Sequence, residues 1–180
     1  KKHSFQVHVG PMRSKSRGSI RLQSADSSKA PLISFNYMDY EEDWIDFRAC
    51  IRLTREVFNQ KSLSPYKGEE ISPGIDIQTD DQIDDFIKEN AESAYHPCGT
   101  CRMGETNNKD SVTDNNGKVL GLNGVRVVDS SLMPQITTGN LNAPVIMIAE
   151  KIADNILGLE SLPSMNLDFY QSKDWQKAQR

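Results

Sequence analysis

The stretch AYHPCGTCRMG, from Ala94 to Gly104, carries the side chains of this sequence that are best suited to chemistry. It contains His96 and, two residues later, a C-x-x-C pair formed by Cys98 and Cys101. Metal ligation would use all three side chains, whereas thiol redox chemistry would use the two cysteines alone. Acid–base catalysis would need only the imidazole, because free imidazole titrates near neutral pH.

The metal alternatives lack part of their ligand set. A zinc-dependent deaminase would combine P-C-x-x-C, which Pro97 to Cys101 matches, with an H-x-E segment, and none of the three histidines supplies one. A structural zinc site needs four ligands, and Cys50 lies in a predicted helix, where free cysteine is usually a small buried hydrophobe. We therefore predict no metal site.

The thiol alternative lacks its usual structural setting. A thioredoxin-like C-x-x-C pair begins a helix in a βαβ unit, but here the pair leads into a polar loop. A thiol redox or scaffold module using Cys98 and Cys101 stays open as an alternative function. The backbone at His96 is restrained by Pro97, and Gly99 lets a ligand approach closely. Acid–base catalysis by His96 is the favoured interpretation.

The composition is that of a globular chain. Of 180 residues, 37% are hydrophobic and 26% charged, and no apolar run approaches the ~20 residues that a membrane span needs. The formal net charge of -4 disfavours binding to nucleic acid. Three cysteines and the absence of an N-x-S/T sequon favour a reducing compartment. The cytoplasm is expected, with peripheral association at the inner face of the membrane as an open alternative.

The N-terminal part of the chain has the pattern of β-strands. Residues 5–9 (FQVHV) alternate apolar and polar side chains, and 19–23 (SIRLQ) and 31–37 (PLISFNY) follow between turn residues. This pattern predicts one antiparallel sheet. Because the chain starts with Lys and enters a strand-like run at once, we expect it to be a piece of a longer polypeptide.

Two helices are predicted after these strands. An apolar stripe predicts the first from Glu41 to about Gln60, with Trp44 and Phe47 as core anchors. Thr79, followed by a Gln at capping-box spacing, predicts the second over 80–90. Negative charge complements the N-terminus of a helix, so we expect its acidic cluster to face water. That cluster consists of Asp80, Asp81, Asp84 and Asp85.

Short strands and a third helix are predicted near the C-terminus. The strands are 118–122 (KVLGL) and 125–129 (VRVVD), and the helix runs from Ala143 to Leu157. Asn142 is its predicted N-cap and Gly158 its stop. No G-x-G-x-x-G occurs, so no dinucleotide cradle is predicted in this chain.

Several of these motifs resemble those of one enzyme family. AYHPCGTCRMG and GVRVVDSSLMPQITTGNLNAPVIMIAEKIADNI resemble the C-terminal signature of the glucose-methanol-choline (GMC) oxidoreductases, which oxidise alcohols with FAD. HVGPMRSKSRGSIRLQS, FNYMDYEEDW and YKGEEISPG are similar to the choline-oxidising members of that family. The likeness covers almost the whole chain up to about Gly158.

The resemblance implies an α+β fold. Residues 1–91 would form a substrate-binding lobe with an antiparallel sheet and packed helices. Residues 92–158 would carry the active site, with strands and a helix that complete the FAD-binding domain, and 159–180 would be a polar tail. FAD would be bound mostly by an N-terminal domain of the same protein, so the isolated chain is expected to be inactive, with homodimerisation left open.

The resemblance also implies an active site. His96 and Asn140 match the family's catalytic pair, and hydride transfer from choline to the flavin would give betaine aldehyde. Another primary alcohol is the alternative substrate, and the electron acceptor is left open. Tyr95 is a candidate wall for a quaternary ammonium group. The segments expected to lie beside the flavin contain Asp129, Ser130, Asn142, Ala143 and Pro144.

Overall fold

The computed structural model describes residues 3–168, 170–171 and 173. Its regular elements, in chain order, are strands β1 (Ser19–Arg21) and β2 (Leu32–Ser34), helix α1 (Glu41–Phe58), a 3₁₀ turn (Lys61–Leu63), helix α2 (Asp80–Asn90), a 3₁₀ turn (Ser130–Leu132) and helix α3 (Asn142–Leu157). The predicted α+β class is confirmed. The predicted tail has no regular structure from 159 to 168, and most of the rest of it lies outside the described residues.

The sheet is smaller than predicted. β1 and β2 form an antiparallel pair in which Ile20 is opposite Ile33. The strand predicted over 5–9 is wrong, because this segment is irregular and lies along α1, with the Phe5 ring centroid 5.1 Å from that of Phe58. An alternating pattern gives a strand only where another strand offers its backbone, and here the neighbour is a helix.

The N-terminal segment is tied to the start of α1 by a buried carboxylate. Asp43 is 3% exposed, and its Oδ2 accepts hydrogen bonds from the hydroxyls of Ser14, at 2.8 Å, and of Ser16. Nearby, the indole nitrogen of Trp44 donates to the Met38 carbonyl at 3.0 Å. Buried carboxylates need such donors, so this contact orders the segment that precedes β1.

Helix α2 packs against α1 through apolar and ionic contacts. Its start at Thr79 has the predicted capping box, and Ile83 and Ile87 are buried. The Arg48 guanidinium binds both carboxylate oxygens of Asp84 at 2.7 Å, and Arg52 binds Asp80. The expectation that the whole acidic cluster faces water is therefore wrong for Asp84, whose side chain is 17% exposed because it faces an arginine on α1. Asp80 pairs with Arg52 but stays 56% exposed.

The predicted C-terminal helix is present, with a different start. α3 begins after Leu141, which makes no side-chain cap, so Asn142 is its first residue and not its N-cap. Gly158 ends the helix in the left-handed conformation, as predicted. The strands predicted over 118–122 and 125–129 are only isolated bridges, because glycine turns leave too short a run for a ladder.

The chain exposes far more surface than a compact domain of its length. Its accessible area is 15033 Å², whereas a compact monomer of this size exposes about 8,800 Å². Many large apolar side chains contribute to this area, including several on α3. Among the described helices, none is both long and apolar enough to cross a membrane.

The Arg48–Asp84 pair predicts a pH-dependent stability. The guanidinium lowers the pKa of the Asp84 carboxyl, so the pair stabilises the fold above about pH 4 and loses this contribution as the pH falls through the folded pKa. Asp84→Asn should lower the urea midpoint at pH 7, and the deficit should shrink below about pH 4. Asp85→Asn is the control, because Asp85 is 73% exposed and pairs with Lys88 on its own helix. A deficit independent of pH would contradict this.

Candidate active site

Two distant segments meet in what we call the junction, formed by residues 97–103 and 130–134. The Cys101 N–H donates to the Ser131 carbonyl at 3.0 Å, and the Met103 N–H donates to the Leu132 carbonyl at 2.8 Å. At the other end, the Ser130 hydroxyl donates to the Pro97 carbonyl at 3.0 Å. These bonds hold the turn that follows His96 against the chain that leads to Asn140.

The junction brings the two predicted catalytic side chains together. His96 Nε2 lies 3.2 Å from Asn140 Oδ1, although the residues are 44 positions apart. A hydrogen bond between these atoms requires a proton on Nε2. If the amide is turned over, its N–H₂ group donates to an unprotonated Nε2. The pair therefore accommodates the imidazole with or without a proton on Nε2.

Tyr95 presents its ring to solvent beside His96. It is 82% exposed, and its backbone has a φ of 57°, a left-handed conformation that is uncommon outside glycine. The Tyr95 N–H donates to the Ser93 hydroxyl at 3.0 Å, which stabilises this turn. Strained backbone of this kind is found more often at functional sites than elsewhere. The ring is thus free to contact a ligand.

An open depression of about 280 Å³ connects several of the predicted residues. Its lining consists of Tyr95, His96, Pro97, Ser130, Leu141, Asn142 and Val145. Sequence reasoning missed Pro97, Leu141 and Val145 as lining residues. The signal for the first two was available, because each is adjacent in sequence to a predicted catalytic residue. Asp129, Ala143 and Pro144 do not line the depression.

The start of α3 can hold an anionic group. Its N-cap, Leu141, offers no side-chain acceptor, so the first N–H groups of the helix keep their hydrogen-bonding capacity. The helix dipole adds partial positive charge there. Pro144 lies in this first turn and has no N–H, which leaves the N–H groups of Asn142 and Ala143 as donors. The donor set suits the pyrimidine edge of a flavin, which is anionic when reduced.

Asp129 and Ser130 already have partners within the chain. The Asp129 carboxylate accepts from the Ser131 N–H at 2.8 Å and caps the 3₁₀ turn, while Ser130 binds the Pro97 carbonyl. Both residues therefore shape the loop beside His96. The side chains of Asp129 and Ser130 thus make their polar contacts with other residues of this chain, Ser131 and Pro97.

The cysteines are free thiols in this structure. Burial raises the pKa of the Cys98 thiol, against a smaller opposing effect from the Arg17 and Arg102 charges. A raised pKa leaves little thiolate at neutral pH, which disfavours redox exchange. Within residues 3–168, 170–171 and 173, no cluster of three or more His, Cys, Asp or Glu side chains could hold a metal ion.

The class of protein follows from this site and from comparison with known families. A family model described as GMC oxidoreductase matches residues 14–149, which is more than half of the chain. The chain belongs to the GMC oxidoreductase family, as the motifs around His96 and Asn140 indicated.

Curated relatives within this family share one name. An oxygen-dependent choline dehydrogenase from Brucella ovis is 54% identical over 178 residues, covering 99% of this chain and 32% of that protein. The enzyme of the same name from Chromohalobacter salexigens is 60% identical over 168 residues, covering 93% of this chain and 30% of that protein. The chain thus spans about a third of the length of the curated relatives it matches.

Solved structures with the same fold include flavoenzymes. Pyridoxine 4-oxidase from Mesorbium loti matches with a TM-score of 0.75 and 31% identity, covering 83% of this chain and 29% of that one. An FAD-dependent oxidoreductase from Chaetomium thermophilum matches with a TM-score of 0.73 and 28% identity, covering 83% and 26%. The fold is therefore that of the corresponding part of these larger enzymes.

Gly99 is predicted to be essential to the junction. Its φ is 88°, and an added Cβ would lie 3.2 Å from the Met133 carbonyl oxygen. Gly99→Ala should reduce the free energy of unfolding by about 2 kcal/mol, because left-handed strain adds to a close contact. Gly121→Ala is the matched control, since Gly121 has a φ of 79° and open space around it. It should cost about 1 kcal/mol. Equal losses in urea unfolding would mean that the Met133 contact is no constraint.

Proposed function

We propose that this chain is the C-terminal third of an FAD-dependent choline dehydrogenase, which oxidises choline to betaine aldehyde by hydride transfer to flavin. The observation that carries the proposal is the pairing of His96 and Asn140 at 3.2 Å, with His96 in the wall of an open depression. The names of relatives that are 54% and 60% identical over most of the chain support the substrate.

His96 and Asn140 supply the proton chemistry in this proposal. An alcohol gives up a hydride from carbon more readily when its hydroxyl proton is removed or its oxygen is stabilised as an alkoxide. His96 Nε2 takes the hydroxyl proton, which requires Nε2 to be unprotonated beforehand. The Asn140 N–H₂ group then donates to the same oxygen, and the protonated imidazole does so as well.

The start of α3 supports the cofactor. Bound FAD would supply the hydride acceptor for the alcohol carbon, and its pyrimidine edge would carry negative charge once reduced. The backbone N–H groups of Asn142 and Ala143, with the helix dipole, stabilise that negative charge. Pro144 fixes the backbone of this turn. Asp129 and Ser130 shape the adjoining loop through the contacts that they make with Ser131 and Pro97.

Tyr95 provides part of the substrate site. Choline carries a quaternary ammonium group, which has no hydrogen to donate and is held best by aromatic faces. The Tyr95 ring is 82% exposed and lies next to the base in sequence, so it can cover the substrate cation while His96 reaches the hydroxyl.

The remainder of the enzyme covers much of the exposed apolar surface in this proposal. Large apolar side chains that stay exposed include Val125, Ile146, Met147, Ile156 and Leu157. A large exposed apolar area is typical of an interaction site. We assign 1–91 to a substrate-binding lobe and 92–158 to the part that completes the FAD domain. Isolated from its partner, the chain should neither retain FAD firmly nor turn over, and should dimerise or aggregate through this surface.

The proposal predicts a specific loss of flavin reduction. When the full-length protein is mixed with choline without oxygen, its flavin absorbance should bleach, and His96→Ala should slow the bleaching by about a thousandfold. His8→Ala is the matched control, because His8 is exposed and its side chain hydrogen-bonds to its near neighbour Gln6. A full-length protein whose bound flavin choline does not reduce, or a His96→Ala variant with the parent rate, would overturn the proposal.

Substrate choice gives a separate prediction. 3,3-Dimethylbutan-1-ol has the shape of choline without its charge, so it reports on the cation site alone. Tyr95→Leu should raise KM for choline by about tenfold while changing KM for the neutral alcohol by less than about twofold. Equal effects on both substrates would mean that Tyr95 does not recognise the cation. A parent enzyme that prefers the neutral alcohol would favour another primary alcohol as substrate.

A further inference from the structure

Arg102 connects the two segments of the junction through its side chain. Its Nη2 donates a hydrogen bond to the Pro134 carbonyl at 3.0 Å, across 32 positions of sequence. The Arg102 backbone is itself held, since its carbonyl accepts from the N–H groups of Val112, at 3.0 Å, and Thr113, at 3.3 Å. Thr113 is fully buried. The Arg102 side chain therefore extends from a backbone that is held in place by hydrogen bonds.

Along the sequence, the two residues that this bond joins are each six positions from a member of the His96–Asn140 pair. Arg102 is six residues after His96, and Pro134 is six residues before Asn140 (102 minus 96, and 140 minus 134). The Arg102–Pro134 bond thus closes a short bridge between the chain that carries the imidazole and the chain that carries the amide.

The chain that carries Asn140 has few other restraints. In the described part of the molecule, no backbone–backbone hydrogen bond involves residues 135–140. The polar contacts of that segment are the 3.2 Å bond from Arg13 to the Gln135 side chain, a bond within the loop between Thr137 and Gly139, and the His96 contact itself. Beyond it, Leu141 is buried and α3 begins. Arg102 is the side chain that fixes the backbone at the other end of this loop.

We propose that Arg102 is a positioning residue for the His96–Asn140 pair, and this role rests on the function proposed above. The guanidinium holds the Pro134 carbonyl so that the loop delivers Asn140 within hydrogen-bonding distance of His96. A charged donor makes a stronger bond to a carbonyl than a neutral one does, and the planar fork loses little freedom on binding. Displacement of a catalytic group by about 1 Å can cost about a hundredfold in rate.

Kinetics of the full-length enzyme test this role. Arg102→Met removes every donor and keeps an unbranched stem. It should lower kcat per bound flavin by about tenfold or more, with KM changed by less than about twofold. Arg102→Lys, which keeps a charged donor, should recover part of the loss. Arg52→Met is the matched control, because Arg52 binds Asp80 on α2, away from the loop that carries Asn140, and its loss should leave kcat unchanged.

A double-mutant cycle separates positioning from general stability. In an Asn140→Ala background, Arg102→Met should lower kcat by less than about threefold, because the residue through which it acts is gone. Losses that multiply in the double variant would overturn the proposal. So would an Arg102→Met variant with the parent kcat.

Hydrogen exchange tests the contact without relying on turnover. In the full-length protein, Arg102→Met should speed amide exchange in a peptide spanning 130–134, because the N–H groups of Leu132 and Met133 are hydrogen-bonded next to the Pro134 carbonyl that Arg102 binds. Exchange in this peptide at the parent rate would overturn the positioning role. A parent protein that no alcohol reduces would refute the proposed function, and the exchange pattern would still decide whether Arg102 holds the loop.

Discussion

The backbone hydrogen bonds between Cys101 and Ser131 and between Met103 and Leu132 are the contacts on which the site depends. His96 and Asn140 lie on loops, and neither loop has a strand ladder to hold it. The junction replaces that ladder with two backbone bonds, a close approach at Gly99 and contacts from Ser130 and Arg102. The distance of 3.2 Å between imidazole and amide follows from this local framework.

Burial is concentrated at the supports of the site. Leu132 and Met133 are buried in the junction, Leu141 is buried between Asn140 and α3, and Ile152 lies against Gly117. Outside these points much apolar surface is exposed, and the total area is well above that of a compact monomer. Paired His96 and Asn140 side chains on an otherwise open chain suit a segment of a larger protein, in agreement with its coverage of about a third of its relatives.

The N-terminal half is held together by charge as much as by apolar packing. The Arg48–Asp84 fork and the buried Asp43 join α1 to α2 and to the segment before β1. Such contacts explain why sequence reasoning erred there. An acidic helix start reads as solvent-facing when α2 is considered alone, and only its packing against α1 reveals that arginines lie opposite. The alternating run at 5–9 failed as a strand for a similar reason, since its neighbour is a helix.

Local patterns were sufficient for several features that depend on near neighbours in the chain. The capping box at Thr79, the apolar stripe of α1, the left-handed stop at Gly158 and the motifs of the GMC family could all be read from the sequence, because each is a short-range feature. The distances between residues that are remote in the chain could not be read from the sequence. That Arg102 reaches Pro134 and that the Met103 N–H reaches the Leu132 carbonyl depend on how the chain folds back on itself, and no spacing in the sequence encodes that geometry. Only the family resemblance placed Asn140 with His96, and the distance of 3.2 Å between them comes from the structure.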